Sequence, residues 1–167
     1  MVDAGLELQF QKAQRAFHYD RTGTLASFEC GTMDQITDDI WIGSSTEAKD
    51  LDSLRREGIR SILCLDGCLL GKKAEHLGVN SIEVVELVDG RGNKPEVFLR
   101  AVGLLKKLKT KHSPVLVHCH SGQSRSAAVV CKFFMKEEGA SLGQAMKRIT
   151  SKRKVVIVAG LQEALDF

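Results

Sequence analysis

The chain has 167 residues, 43% hydrophobic and 27% charged, with a formal net charge of +3. That length and apolar content support one sizeable core and would cramp two, and so small a net charge singles out no class of partner. With only 5% aromatic residues for base stacking, nucleic acid is not expected as a ligand.

Read from the N-terminus, residues 6–17 form a mildly amphipathic helix, followed by a turn-rich connector through Gly23 and Gly31. We read residues 1–33 as an N-terminal extension and residues 34–167 as the main domain. Asp3, Glu7 and the absence of a long apolar run argue against a secretory leader, and no stretch is long enough to span a bilayer. Residues 40–43 read as a short strand and 44–57 as a helix, with Ser44 and Glu47 in capping-box spacing and Gly58 as its stop. A strand over 59–65, a turn near 72–76 and a β-branched strand over 81–88 follow. Pro95 opens a helix whose Val97, Ala101, Leu104, Leu105 and Leu108 share a face. Residues 115–118 are a buried central strand, and 125–138 a deeply buried helix ended by Gly139. Ser141 and Gln144 repeat the capping-box spacing ahead of Leu142, Ala145, Met146 and Ile149, and a short helix near Phe167 closes the chain. This alternation predicts an α/β fold, a mostly parallel twisted sheet flanked by helices, with its site at the carboxyl ends of the strands.

The densest chemical signal is the run Val115-Leu116-Val117-His118-Cys119-His120-Ser121-Gly122-Gln123-Ser124-Arg125-Ser126. A strand, a short loop holding Gly122 and a helix N-terminus make an anion cradle, because backbone N–H groups converge on the loop and the helix dipole adds positive potential. A cysteine placed there is expected to act as a thiolate, the form favoured by a helix end and a nearby cation. Arg125 can fold back and grip two oxygens of a bound phosphate. Ser126 can donate to the sulfur, and His118 is expected to orient the loop rather than transfer protons. His120 is expected at the rim. The backbone from His120 through Ser121, Gly122, Gln123 and Ser124 to Arg125 would hold the phosphate.

The string His118-Cys119-x-x-Gly122-x-Ser124-Arg125-Ser126 resembles the signature of cysteine-dependent protein tyrosine phosphatases, and Ser124 before the Arg is similar to their dual-specificity branch. The resemblance extends to Ile36-Thr37-Asp38-Asp39-Ile40-Trp41-Ile42-Gly43, Ala48, Leu54 and Gly58-Ile59. It implies a small, single-domain phosphatase over residues 34–167. It also implies a general acid about thirty residues before the Cys, and the matching position is Asp89, between a strand and a flexible Gly-rich loop; Asp66 is the rival. The expected cycle is attack by Cys119 with proton donation from Asp89, then hydrolysis of a phosphocysteine intermediate. Many relatives carry Asn where Cys64 stands and a Pro-Asn pair where Ala159-Gly160 stand. Some relatives protect an oxidised nucleophile by a disulfide, which makes Cys64 or Cys68 a candidate partner of Cys119 under peroxide, beside the more ordinary reading of both as buried packing residues.

No cofactor is implied. No two of the five histidines stand in zinc-ligand spacing with a carboxylate, so metal catalysis is not expected. Five scattered cysteines fit a reducing compartment, hence an intracellular protein, cytoplasmic or nuclear. The basic runs at 106–111 and 147–154 read as cations at helix C-termini, or as a docking surface for acidic partners. The uncharged side chains of Ser121, Gln123 and Ser124 favour phosphoprotein substrates, phosphotyrosine and phosphoserine/phosphothreonine, over a phosphoinositide or phosphoglucan. A catalytically silent phosphate-binding module is the alternative of another class.

Overall fold

The computed structural model describes residues 32–167, so the expected helix at 6–17 and its connector lie outside the described residues. Five strands form one sheet: β1 (Asp34–Thr37), β2 (Ile40–Gly43), β3 (Ser61–Cys64), β4 (Ser81–Val84) and β5 (Val115–His118), in the order β1-β2-β5-β3-β4. Only β1 is antiparallel; β5 lies parallel between β2 and β3, in register Gly43↔His118 and Cys64↔His118. The sheet is therefore mostly parallel, as the alternation predicted. Strand β1 was not anticipated, because Asp34, Gln35 and Thr37 give it no apolar alternation.

Side chains alternate across the sheet, and each face has its own core. On one face Ile40, Ile42, Leu63, Val115, Val117 and Cys119 pack against α2 (Pro95–His112), α3 (Arg125–Glu137), α4 (Leu142–Thr150) and α5 (Ala159–Glu163). On the other, Trp41, Ile62, Cys64 and Leu116 pack against α1 (Leu51–Arg56) and the loops around it. The three apolar side chains of β5 are fully buried. Each contributes about 1.5–3 kcal/mol by burial, which fixes the strand end from which the loop departs.

The expected helix at 44–57 is broken in two. A 3-10 turn covers Glu47–Lys49, and α1 starts afresh because the Asp50 side chain accepts from the amides of Asp52 and Ser53. The Ser44 amide still donates to Glu47 Oε2 at 2.5 Å, so the capping contact starts the turn rather than a long helix. At Ser141 both halves of the predicted capping box form. The strand expected over 81–88 ends at Val84, but the Val85 and Leu87 amides continue to donate to the Cys64 and Leu65 carbonyls.

Candidate active site

Cys119 follows β5 directly and is buried, and its Sγ lies 3.4 Å from the Ser126 hydroxyl in the first turn of α3. Between them the chain turns at Gly122, with φ of 68°. A Cβ there would stand 2.5 Å from the Gly43 carbonyl oxygen, so both handedness and the close approach of β2 demand glycine. The carbonyls of residues 120–123 are each engaged by groups outside the loop. His120 O accepts from the Ser45 amide at 3.2 Å, Gly122 O from Arg153 Nε at 2.8 Å, Ser121 O from Arg153 Nη2 at 3.4 Å, and Gln123 O from the Val156 amide at 3.2 Å. Among the described residues, no protein acceptor takes a hydrogen bond from the amides of 120–125. Carbonyls bound outside and amides left over inside are the two halves of an oxyanion cradle at a helix N-terminus.

Arg125 reaches the same space. Its Nη1 donates to the Leu87 carbonyl at 3.3 Å, while Nε is buried with no hydrogen-bond partner among the described residues. An unpaired guanidinium N–H next to the cradle is available to an anion. Asp89 Oδ1 lies 4.0 Å from that Nε, and the carboxyl is partly open to solvent. Asn93 holds this loop in shape: its Oδ1 accepts from the Val88 amide at 2.9 Å, and its Nδ2 donates to the Val88 and Gly90 carbonyls. Arg91 pairs with Glu163 of α5 at 3.0 Å, and Gly160 abuts the backbone of Gly90 and Arg91 so closely that a Cβ would overlap it.

The structure thus brings Cys119, Arg125, Ser126 and Asp89 together with the 120–125 backbone; His120 and Ser121 are exposed at the rim. His118 turns the other way. Its ring is fully buried, burial pushes its pKa down to about 4 against the pull of the Asp66 charge, and neither ring nitrogen has a partner among the described residues. Its backbone ties the strand end to the neighbouring chain, the His118 carbonyl accepting from the Leu65 amide at 3.0 Å. Asp66 lies with it, accepting from the Cys64 thiol at 3.3 Å and the Cys68 amide at 3.1 Å. Cys64 packs in the core opposite to that of Cys119, so the arrangement groups Cys64 and Cys68 with each other and with His118 rather than with the nucleophile position.

Arg153 is the residue that sequence reasoning misplaced. It sits in a basic run read as cations at a helix C-terminus or as a docking surface, yet its side chain is only 11% exposed. Besides the two loop carbonyls it donates to Thr32 O at 2.8 Å and Asp34 Oδ2 at 2.6 Å. In the other run Lys106, Lys107 and Lys109 pair with Glu137, Glu83 and Asp39.

With this geometry in view, comparison with known proteins is decisive at the level of family. Residues 40–165 match the family described as dual specificity phosphatase, catalytic domain. The chain belongs to that family. It is 30% identical over 117 residues to dual specificity protein phosphatase 1 of Arabidopsis thaliana, covering 70% of this chain and 58% of that protein. It is 33% identical over 133 residues to human protein phosphatase Slingshot homolog 1, covering 75% of this chain and 12% of the relative. The chain therefore spans little more than half of the first of these dual-specificity relatives and a small part of the second. Among solved structures, a mouse putative dual specificity phosphatase complexed with zinc tungstate superposes with a TM-score of 0.70 at 23% identity, covering 86% of this chain and 89% of the other. The dual-specificity fold is thereby shared.

Proposed function

We propose that this dual-specificity phosphatase domain hydrolyses phosphate monoesters on proteins, at phosphotyrosine and phosphoserine/phosphothreonine, through a phosphocysteine intermediate. The observation that carries this reading is the convergence of Cys119, the free Arg125 Nε and Asp89 on one amide-lined loop. In the first step Cys119 Sγ forms a bond to phosphorus as the ester P–O bond breaks, and Asp89 passes its proton to the departing oxygen. In the second, water attacks phosphorus, the Asp89 carboxylate takes the water proton, and the S–P bond breaks while Ser126 donates to the leaving sulfur. The loop amides and Arg125 stabilise the equatorial oxygens in both steps, the work that dominates phosphoryl transfer.

Protein esters are favoured over multiply phosphorylated lipids or glucans because no Lys or Arg stands between Cys119 and Arg125 to hold further phosphates. Turnover of a phosphopeptide panel beside phosphoinositides and a phosphoglucan tests the substrate, and an aryl phosphate tests the chemistry. Cys119→Ser is expected to abolish turnover. Asp89→Asn is expected to lower kcat ~100-fold on a poor leaving group, the scale of one general acid. A wild-type protein inert on every ester would instead support a silent phosphate-binding module, and turnover confined to phosphoinositides would overturn the protein-substrate reading.

A further inference from the structure

Behind the phosphate loop, on the opposite face of the sheet from Cys119, four metal-ligating side chains meet: Cys64, Asp66, Cys68 and His118, with one ligand atom from each lying within 4.8 Å of the others. Cys64 and His118 are register partners at the ends of neighbouring parallel strands, so their side chains share a face. The chain leaving β3 then turns at Gly67, with φ of 75°, and brings Asp66 and Cys68 back to the same point. Hydrogen bonding leaves the group incomplete. His118 is fully buried with both ring nitrogens unpartnered among the described residues, a costly state for an imidazole that can donate at one nitrogen and accept at the other.

We propose that Cys64, Asp66, Cys68 and His118 form a binding site for Zn²⁺, separate from the phosphate cradle and not required for the hydrolytic chemistry. The donor set of two sulfurs, one imidazole and one carboxylate suits that borderline-soft ion, and Cys64-x-x-x-Cys68 falls within the usual cysteine spacing of zinc sites. Tetrahedral zinc with bonds of about 2.0–2.3 Å needs ligand atoms roughly 3.3–3.8 Å apart, so the present spread closes with shifts of about 1 Å or less. Binding forms two Zn–S bonds, one Zn–N bond and one Zn–O bond and releases the two thiol protons to solvent, with no change of oxidation state. Two thiolates and a carboxylate leave the complex one negative charge, and the Lys49 ammonium near Cys68 and His118 can offset it. Cys68 and Asp66 are only partly buried, which gives the ion a way in.

The test uses the 167-residue chain carrying Cys119→Ser, so that metal cannot gather on the nucleophile. Titration with Co²⁺ under anaerobic conditions is expected to give one equivalent bound, with thiolate-to-cobalt charge-transfer absorption and the intense visible bands of a tetrahedral ion, displaced by one equivalent of Zn²⁺. Adding Cys68→Ser or Asp66→Asn should weaken binding by ~100-fold or more, beyond the 10–100-fold typical of losing an outer-shell partner. In the Cys119 protein, Cys68→Ser should retain metal-free phosphatase activity and lose the rise in Tm that Zn²⁺ gives the wild type. The proposal is overturned if the cobalt spectrum disappears with Cys119→Ser alone, if it survives Cys68→Ser at unchanged affinity, or if Zn²⁺ leaves the wild-type Tm unmoved. A protein inert on phosphate esters that still binds Co²⁺ in this way would sink the phosphatase reading and leave the metal site standing.

Discussion

Replacing Arg153 with Ala removes a side chain that ties the phosphate loop to β1. Its guanidinium donates to Gly122 O at 2.8 Å and more weakly to Ser121 O at 3.4 Å, while its other arm holds Thr32 O and Asp34 Oδ2. A hydrogen bond from a charged donor contributes about 1.5–3 kcal/mol, but water can enter the vacated space and Asp34 is partly exposed, so the net loss in stability should be ~2–3 kcal/mol. The catalytic effect follows from the Gly122 carbonyl alone. Once released, the peptide units around Gly122 can rotate and turn their amides away from the anion, and a preference weakened by about 1.5–3 kcal/mol lowers kcat/KM by roughly 10–100-fold. Arg153→Lys should recover little of this, because an ammonium on a flexible stem cannot reproduce a fork that serves four acceptors. The assay pairs a urea melt with steady-state hydrolysis of an aryl phosphate, run where each variant is fully folded. A folded Arg153→Ala protein with kcat/KM within twofold of wild type would refute the argument that outward carbonyl anchoring keeps the cradle's amides inward.

Gly160→Ala places a methyl group against the backbone of Gly90 and Arg91 and should push the Asp89 loop outward, at an overpacking cost of about 1–3 kcal/mol. Because a displaced acid matters most when the leaving oxygen is basic, turnover of an alkyl phosphate should fall ~10-fold or more while a nitrophenyl ester is hardly affected; an equal loss on both would contradict this. Far from the site, the Ser113 hydroxyl donates to Asp39 at 2.5 Å and Lys109 pairs with it at 3.0 Å, in that order holding its carboxyl below the usual range. A folded-state pKa below the unfolded one stabilises above the unfolded value near 3.9 and is lost as pH falls through the folded value. Ser113→Ala should therefore cost ~0.5 kcal/mol at pH 7, after solvent screening of this half-exposed carboxylate, and progressively less as pH falls below the unfolded value; a deficit that stays constant down to acid unfolding would refute the linkage.

The cradle was legible because its chemistry is local: Cys119, Gly122, Arg125 and Ser126 lie within eight residues, and strand, positive-φ glycine and helix start are each written in residue type. The parallel sheet was legible because its strands are apolar runs separated by helical patterns. What stayed hidden depends on contacts distant in sequence. Arg153 resembled its solvated neighbours in a basic run, and only the return of the chain beside β1 buries it against the loop. The Cys64, Asp66, Cys68 and His118 group escaped a search for paired histidines because it has one histidine, and its ligands converge only when β3 and β5 align. Strand β1 escaped because an edge strand packed on one side needs no apolar alternation of its own.

The end of β5 is where these features meet, and the period of a strand explains why one segment can serve both. His118 and Cys119 are adjacent, so their side chains leave opposite faces: one towards Cys64, Asp66 and Cys68, the other towards the amide-lined loop and Arg125. They still share a backbone. The His118 carbonyl is fixed by the Leu65 amide, one residue past Cys64 and one before Asp66, so the segment that carries three of the four ligands also holds the peptide preceding the nucleophile. That link is made by main-chain groups alone, so the loss of a side chain from the 64–68 turn leaves it in place. Cys68→Ser in the metal-free protein should accordingly leave kcat, which senses the placement of sulfur, near the wild-type value; a large fall in kcat with folding intact would show that the two faces of the strand end are not independent.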